Sequence, residues 1–148
     1  MSDLSEHLSW GEVLRGSGYS DLDEVPDVVA AFMTVTAREV FEPIRNALGR
    51  PISVVPGGGV REPELNERVG GAKKSQHLFG KALDLRCKNP EDTVRVYDLA
   101  VAMQNDGRIP AGGCALYIRR DGSPRFVHVD CRGRRARWLT GNRKKVSA

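Results

Sequence analysis

"GCALYIRRDGSPRFVHVDC", residues 113–131, alternates apolar and polar side chains on either side of Asp121-Gly122. Two period-two runs separated by an Asp-Gly pair read as antiparallel strands joined by a tight turn. Upstream, "KALDLRC" (81–87) alternates in the same way, and "PISVV" (51–55) is a short β-branched strand. Between and before these lie helical patterns. "NPEDTVRVYDLAVAMQNDG" (89–107) has Asn89 as cap, Pro90 at the first helical position, acids in the first turn and Gly107 as stop. The alternation of elements predicts one α+β domain, a small antiparallel sheet with helices packed on it. No internal repeat or domain boundary interrupts residues 1–138, and 139–148 read as a basic tail.

The longest helical pattern runs from Asp27 to Leu48. Val28, Val29, Phe32, Val35, Val40, Phe41, Ile44 and Leu48 recur at mostly three- and four-residue steps, which predicts a core-facing stripe. Pro26 suits the first turn, and Gly49 with Pro51 ends the pattern. Pro43 inside it predicts a kink or a split into two helices. Nearer the start, "LSWGEVLRGSG" (8–18) is a short helix that Ser9 caps, with Glu12 placed to close a capping box. "PGGGVREPELNERVGGAKK" (56–74) is a long Gly/Pro/Lys-punctuated loop, with one helical turn expected around Glu64–Arg68.

The chain has 148 residues, of which 40% are hydrophobic and 28% charged, as in an ordinary globular domain. No stretch approaches the roughly 20 apolar residues that cross a bilayer. "MSDLSEHLSW" lacks the basic and apolar segments of a secretory signal, so synthesis in the cytoplasm is expected, with any export by another route. The net charge of +4 is uneven: residues 132–148 hold seven basic side chains and no acid. The remaining 16 basic and 19 acidic residues leave the body at −3. Such a tail favours polyanions, whether nucleic acid, anionic lipid or a cell-envelope polymer, or it is a solvated, frayed terminus. Cys87, Cys114 and Cys131 are too few for a disulfide framework and lack CxxC spacing, so they are expected as small buried hydrophobes. Cys114 and Cys131 fall near opposite positions of the hairpin.

Two histidines sit in strand contexts beside carboxylates. Phe126, His128 and Asp130 share one face of the second hairpin strand, and Ala82, Asp84 and Arg86 share one face of the earlier strand. Gly80 permits a sharp turn between His77 and that strand, so His77 can fold back over Asp84. Two imidazoles and a carboxylate on one surface would make a zinc site with a position left for water. The spacing H-x6-D does not decide this by itself. His77 and His128 can equally be hydrogen-bonded structural residues, and Asp84 can cap a turn or meet Arg86.

The motif "SQHLFGKALDL" matches SxHxxGxAxD at Ser75, His77, Gly80, Ala82 and Asp84, and "FVHVDCRGRRARW" supplies a later histidine. In these residues the chain resembles the zinc D-Ala-D-Ala carboxypeptidase and L-alanyl-D-glutamate endopeptidase family, most closely its phage-endolysin-like branch. The resemblance covers residues 8–138. It implies the D-Ala-D-Ala carboxypeptidase/hedgehog-like fold and a monomer that cleaves peptidoglycan stem peptides. It further implies Zn²⁺ bound by His77, Asp84 and His128, lowering the pKa of a water towards about 7 and polarising the scissile carbonyl. Arg61, in the glycine-rich loop, is the candidate donor to the tetrahedral intermediate or to a substrate carboxylate. Its alternative is a surface ion pair with Glu62 or Glu64.

The sequence departs from the family in two places. Many members carry an acid three residues before the last ligand as general base; here Arg125 stands there and cannot accept a proton. Asp130 is the substitute, either taking the water's proton or orienting His128, unless the water reacts without a dedicated base. "PGGGVRE" stands where similar proteins have Ser-Gly-Tyr-Arg, with Val60 in place of the aromatic. The leading expectation is a zinc peptidase that acts at the cell wall after release, or as part of a virion, its basic tail holding an anionic envelope polymer. A non-catalytic binding or structural module of the same fold is the alternative. Nucleic-acid binding through the tail is a third reading, opposed by the acidic body and the lack of interleaved aromatics.

Overall fold

Gly113–Ile118 (β5) and Pro124–Asp130 (β6) pair antiparallel about the Asp121-Gly122 turn, where Gly122 takes φ of +88°. In the computed structural model, which describes residues 3–141 and 144–147, this hairpin is the centre of a six-stranded sheet. Ala82–Arg86 (β4) lies beside β6, and Ser53–Val54 (β3) forms that edge. On the other side, Ala136–Gly141 (β7) pairs parallel with β5, and Lys144–Ser147 (β8) pairs antiparallel with β7. A two-stranded ribbon, Asp3–Ser5 (β1) with Leu8–Ser9 (β2), stands apart.

The fold is α+β as expected, with one addition: the main sheet is mixed, because β7 joins in parallel. The sequence pattern gives no strand there, since Arg132, Arg134, Arg135 and Arg137 interrupt any apolar alternation. Backbone pairing carries the chain through β8, while Asn142, Arg143 and Ala148 of the basic tail lie outside the described residues.

The first helix, Trp10–Leu14 (α1), starts as its sequence dictates. Ser9 Oγ accepts from Glu12 N–H at 3.2 Å and Glu12 reaches back to Ser9 N–H, a closed capping box. Asp27–Thr36 (α2) and Glu42–Leu48 (α3) are joined without a break through a wide turn at Ala37–Phe41. Within it Glu42 N–H bonds Ala37 O, five residues back, and the chain accommodates Pro43 without breaking the helix.

That wide turn also corrects the expected stripe. Val28, Phe32 and Val35 are 61%, 39% and 44% exposed, whereas Val29, Met33, Thr36, Ala37, Val40, Phe41 and Ile44 are buried. The extra residue in the turn puts the two halves of the 27–48 pattern out of phase, so one continuous 3.6-residue repeat misassigns the first half. Pro63–Arg68 (α4) is the helical turn expected within the long loop, and Pro90–Asn105 (α5) packs across the sheet's apolar face. Leu83, Leu85, Cys114, Val127 and Val129 line that face and belong to the core. Cys114 pairs with Val129, two positions short of Cys131, and all three cysteines are free thiols. The opposite face of β4, β5 and β6 is left for polar side chains. No helix among the described residues is long and apolar enough to cross a membrane.

Candidate metal centre and cleft

Each fixed position of the 75–84 motif has a mechanical reason. Ser75 Oγ accepts from His77 N–H at 3.3 Å and starts a 3₁₀ turn over Gln76–Phe79 that presents His77 inward. Gly80 ends the turn in the left-handed region, φ +74°. A Cβ there would lie 2.4 Å from the Val29 carbonyl oxygen of α2, so the turn meets the helix backbone directly. Thr36 Oγ1 donates to Gly80 O at 2.8 Å and fastens the same contact. Ala82 is fully buried, and Asp84 follows on its face of β4. We expect Gly80→Ala to destabilise the fold by about 3 kcal/mol, from left-handed strain plus the clash, measured by denaturant unfolding. A loss below about 1 kcal/mol would show that α2 yields to the methyl group.

Across the sheet Asp84 and His128 are direct partners in the β4–β6 ladder. His128 Nδ1 lies 3.1 Å from Asp84 Oδ1, and His77 Nε2 lies 3.3 Å from Asp84 Oδ2. The two imidazole rings stand edge to face with centroids 5.2 Å apart. One ligand atom from each of His77, Asp84 and His128 falls within 4.8 Å of the others, so this buried trio could hold a metal ion. The sequence thus places its three predicted ligands together.

The far nitrogens of both rings are occupied. His77 Nδ1 is 2.8 Å from Gly59 O, a carbonyl that accepts from Nδ1–H and turns Nε2 towards Asp84. His128 Nε2 is 2.7 Å from Asp130 Oδ2, which accepts from Nε2–H and leaves Nδ1 facing the trio. The donor set therefore fits a divalent cation: one inner nitrogen from each ring and a carboxylate converge, each ring is held from behind, and a bound metal would take the place of the proton between His128 and Asp84.

Electrostatics agree with the donor chemistry. Burial pushes His128 down, but its bonds to Asp130 and Asp84 and their charges outweigh that and raise it to about 9. Burial would raise Asp84 as well, yet the two histidines hold it well below the usual carboxylate range. Positive charge is thus favoured between these carboxylates, whether carried by a proton or by a metal.

Asp130 is fully buried and its oxygens are all engaged. Besides His128, they accept from Gly113 N–H at 2.8 Å and from Arg132, whose Nη2 and Nε lie 2.7 and 2.9 Å away. Gly113 permits this closeness, since a Cβ there would sit 2.6 Å from Asp130 Oδ2. Arg132 belongs to the site, and neither it nor Trp138 was distinguishable by sequence alternation. Trp138 pairs with Ala115 through the parallel β5–β7 ladder, which brings its ring 5.6 Å from that of His128. Arg132 in turn stands 5.4 Å from the Trp138 ring.

The trio lies at the floor of an open cleft of about 770 Å³ bordered by Arg61, Lys74, Gln76, Tyr117, Phe126 and Trp138. Arg61 is half-buried and makes no ion pair among the described residues. Its Nη1 donates to Asn66 Oδ1 at 2.9 Å and its Nη2 to Gly57 O at 3.2 Å. Glu62, the expected partner, instead caps α4 by accepting from Glu64 and Leu65 N–H. The alternative of a surface pair with Glu62 or Glu64 is not realised.

A buried His–Asp–His group under an open cleft is what a single-metal hydrolase needs, three ligands and free access for water and substrate. The chain belongs to the Peptidase M15 family, whose sequence profile matches residues 18–130. Peptidases of this family are zinc-dependent. None of the curated proteins matches the chain.

Proposed function

We propose that the protein is a zinc peptidase that hydrolyses stem peptides of bacterial peptidoglycan, with His77, Asp84 and His128 as the ligands. The observation that supports it most is the orientation of the trio: Gly59 O and Asp130 hold the outer nitrogens, so the inner nitrogen of each ring is turned to Asp84. Zinc bound there would supply Lewis-acid activation of a water and of the scissile carbonyl. Arg61, fixed by Gly57 and Asn66 beside the trio, donates to the carbonyl oxygen as it gains negative charge. Asp130 orients His128 rather than taking a proton, because Gly113, Arg132 and His128 already occupy its oxygens. Asp84 is the one carboxylate among the described residues that line the cleft. The reaction therefore proceeds without a separate carboxylate base, and a slow enzyme is expected. It acts on the cell wall as a lysin, as a monomer, with the basic tail beyond residue 138 as an auxiliary contact to anionic envelope polymer.

Mass spectrometry of stem-peptide fragments after incubation with the protein tests this reading. Fragments should form with the zinc-loaded protein and vanish with chelator. Fragments unchanged by chelator would remove the metallopeptidase reading. A zinc-loaded protein that binds peptidoglycan but yields no fragments would favour the non-catalytic module.

A further inference from the structure

Arg125 breaks the alternation of its strand. Val127 and Val129 face the core, and simple alternation would send Arg125 to the same side. It goes to the other. Tyr117 pairs with Phe126 but Ile118 pairs with Pro124, so β6 advances two residues while β5 advances one. Arg125 is the extra residue of a β-bulge, a device that re-aims a side chain. Both Arg125 and Phe126 consequently border the cleft. The guanidinium carbon of Arg125 stands 5.7 Å from the Phe126 ring, and that ring stacks on Tyr117 at 4.4 Å and 15°. A cation above a stacked aromatic pair has a defined position.

A side lobe of about 420 Å³ adjoins the cleft, with Arg61, Asp84, Arg125 and Phe126 bordering both. Arg86 completes the lobe, carried by β4 on the face of Asp84. Neither Arg86 nor Arg125 forms an ion pair among the described residues. The lobe's one carboxylate, Asp84, already faces two imidazoles. Two exposed guanidiniums, neither in an ion pair among the described residues, thus border an open lobe beside the reaction centre whose one carboxylate is already held by histidines.

We infer that Arg125 and Arg86 form a carboxylate-binding subsite, so that the protein selects peptides with a free carboxylate flanking the scissile bond. This rests on the peptidase reading above and adds its specificity. A planar guanidinium fork matches a carboxylate two bonds at a time, which suits Arg better than Lys.

The experiment uses one stem peptide in two forms, carboxylates free or amidated. Binding to the chelator-treated protein is measured by calorimetry, and KM and kcat are measured on the zinc-loaded protein. Arg125→Gln should weaken binding of the free-carboxylate peptide about tenfold and raise its KM about as much, with kcat little changed. The amidated peptide should bind wild type and Arg125→Gln alike, and Arg125→Lys should recover only part of the loss. Equal weakening of both peptides, or no weakening of either, overturns the subsite. Discrimination that persists in binding while no peptide is cleaved supports the subsite and overturns the peptidase reading instead.

Discussion

His77→Ala and His128→Ala are each expected to purify with under about one hundredth of the wild-type zinc and with no measurable peptide hydrolysis. Each substitution leaves a two-donor remnant, and structural and catalytic zinc sites need at least three protein ligands. The two variants should differ in stability. Removing His77 leaves the Gly59 carbonyl without its imidazole and costs Asp84 one of its two histidines, while His128 stays against it. Removing His128 takes away a group that bridges Asp84 and Asp130, so two buried carboxylates each lose a partner at once. Losing a partner of a buried charge costs up to roughly 3–5 kcal/mol, and His128 holds two carboxylates against the one of His77, so His128→Ala should lose more in metal-free unfolding than His77→Ala. Zinc analysis and urea unfolding in chelator check both statements. Metal content near wild type in either variant would sink the ligand assignment.

The second large effect belongs to Asp130. Read from sequence, Asp130→Ala spares the metal and lowers only the rate; the geometry changes that expectation. Asp130 fixes the His128 tautomer at 2.7 Å and anchors Arg132 and the Gly113 amide. Asp130→Asn keeps the volume but removes the charge that holds both cations. We expect zinc affinity to fall about 10–100-fold, as when a carboxylate behind a metal-bound histidine is lost. Stability should fall by about 3 kcal/mol, because Arg132 loses its buried partner. Competition with a chromophoric chelator gives the first number and thermal unfolding of the metal-free protein the second. If affinity holds while kcat alone collapses, Asp130 is the proton acceptor after all.

Much of this site was readable before the fold. The 75–84 motif carries its own mechanics: Ser75 caps, Gly80 turns left-handed against α2, and Ala82 leaves room, so Asp84 and His77 must meet. The hairpin was equally legible, since alternation and Asp121-Gly122 leave little else for 113–131. Other features depend on partners that a linear pattern cannot display. Arg132 and Trp138 enter the site only because β7 joins β5 in parallel, a long-range pairing hidden under a run of arginines. Arg125 is turned into the cleft by one residue's mismatch between two strands, and alternation assigns it to the wrong side. Val28, Phe32 and Val35 fail for the same kind of reason, a local change of period at Ala37–Phe41.

The cross-strand pairing of Asp84 with His128 has a consequence for quality control during folding. Shifting either strand by one position would swing one ligand to the helix-packed side, because side chains alternate with a period of two. A misaligned sheet would therefore be unable to capture zinc, however compact it became. The fraction of purified chains that take up the ion is then a direct count of those whose strands are in step, available from a simple titration.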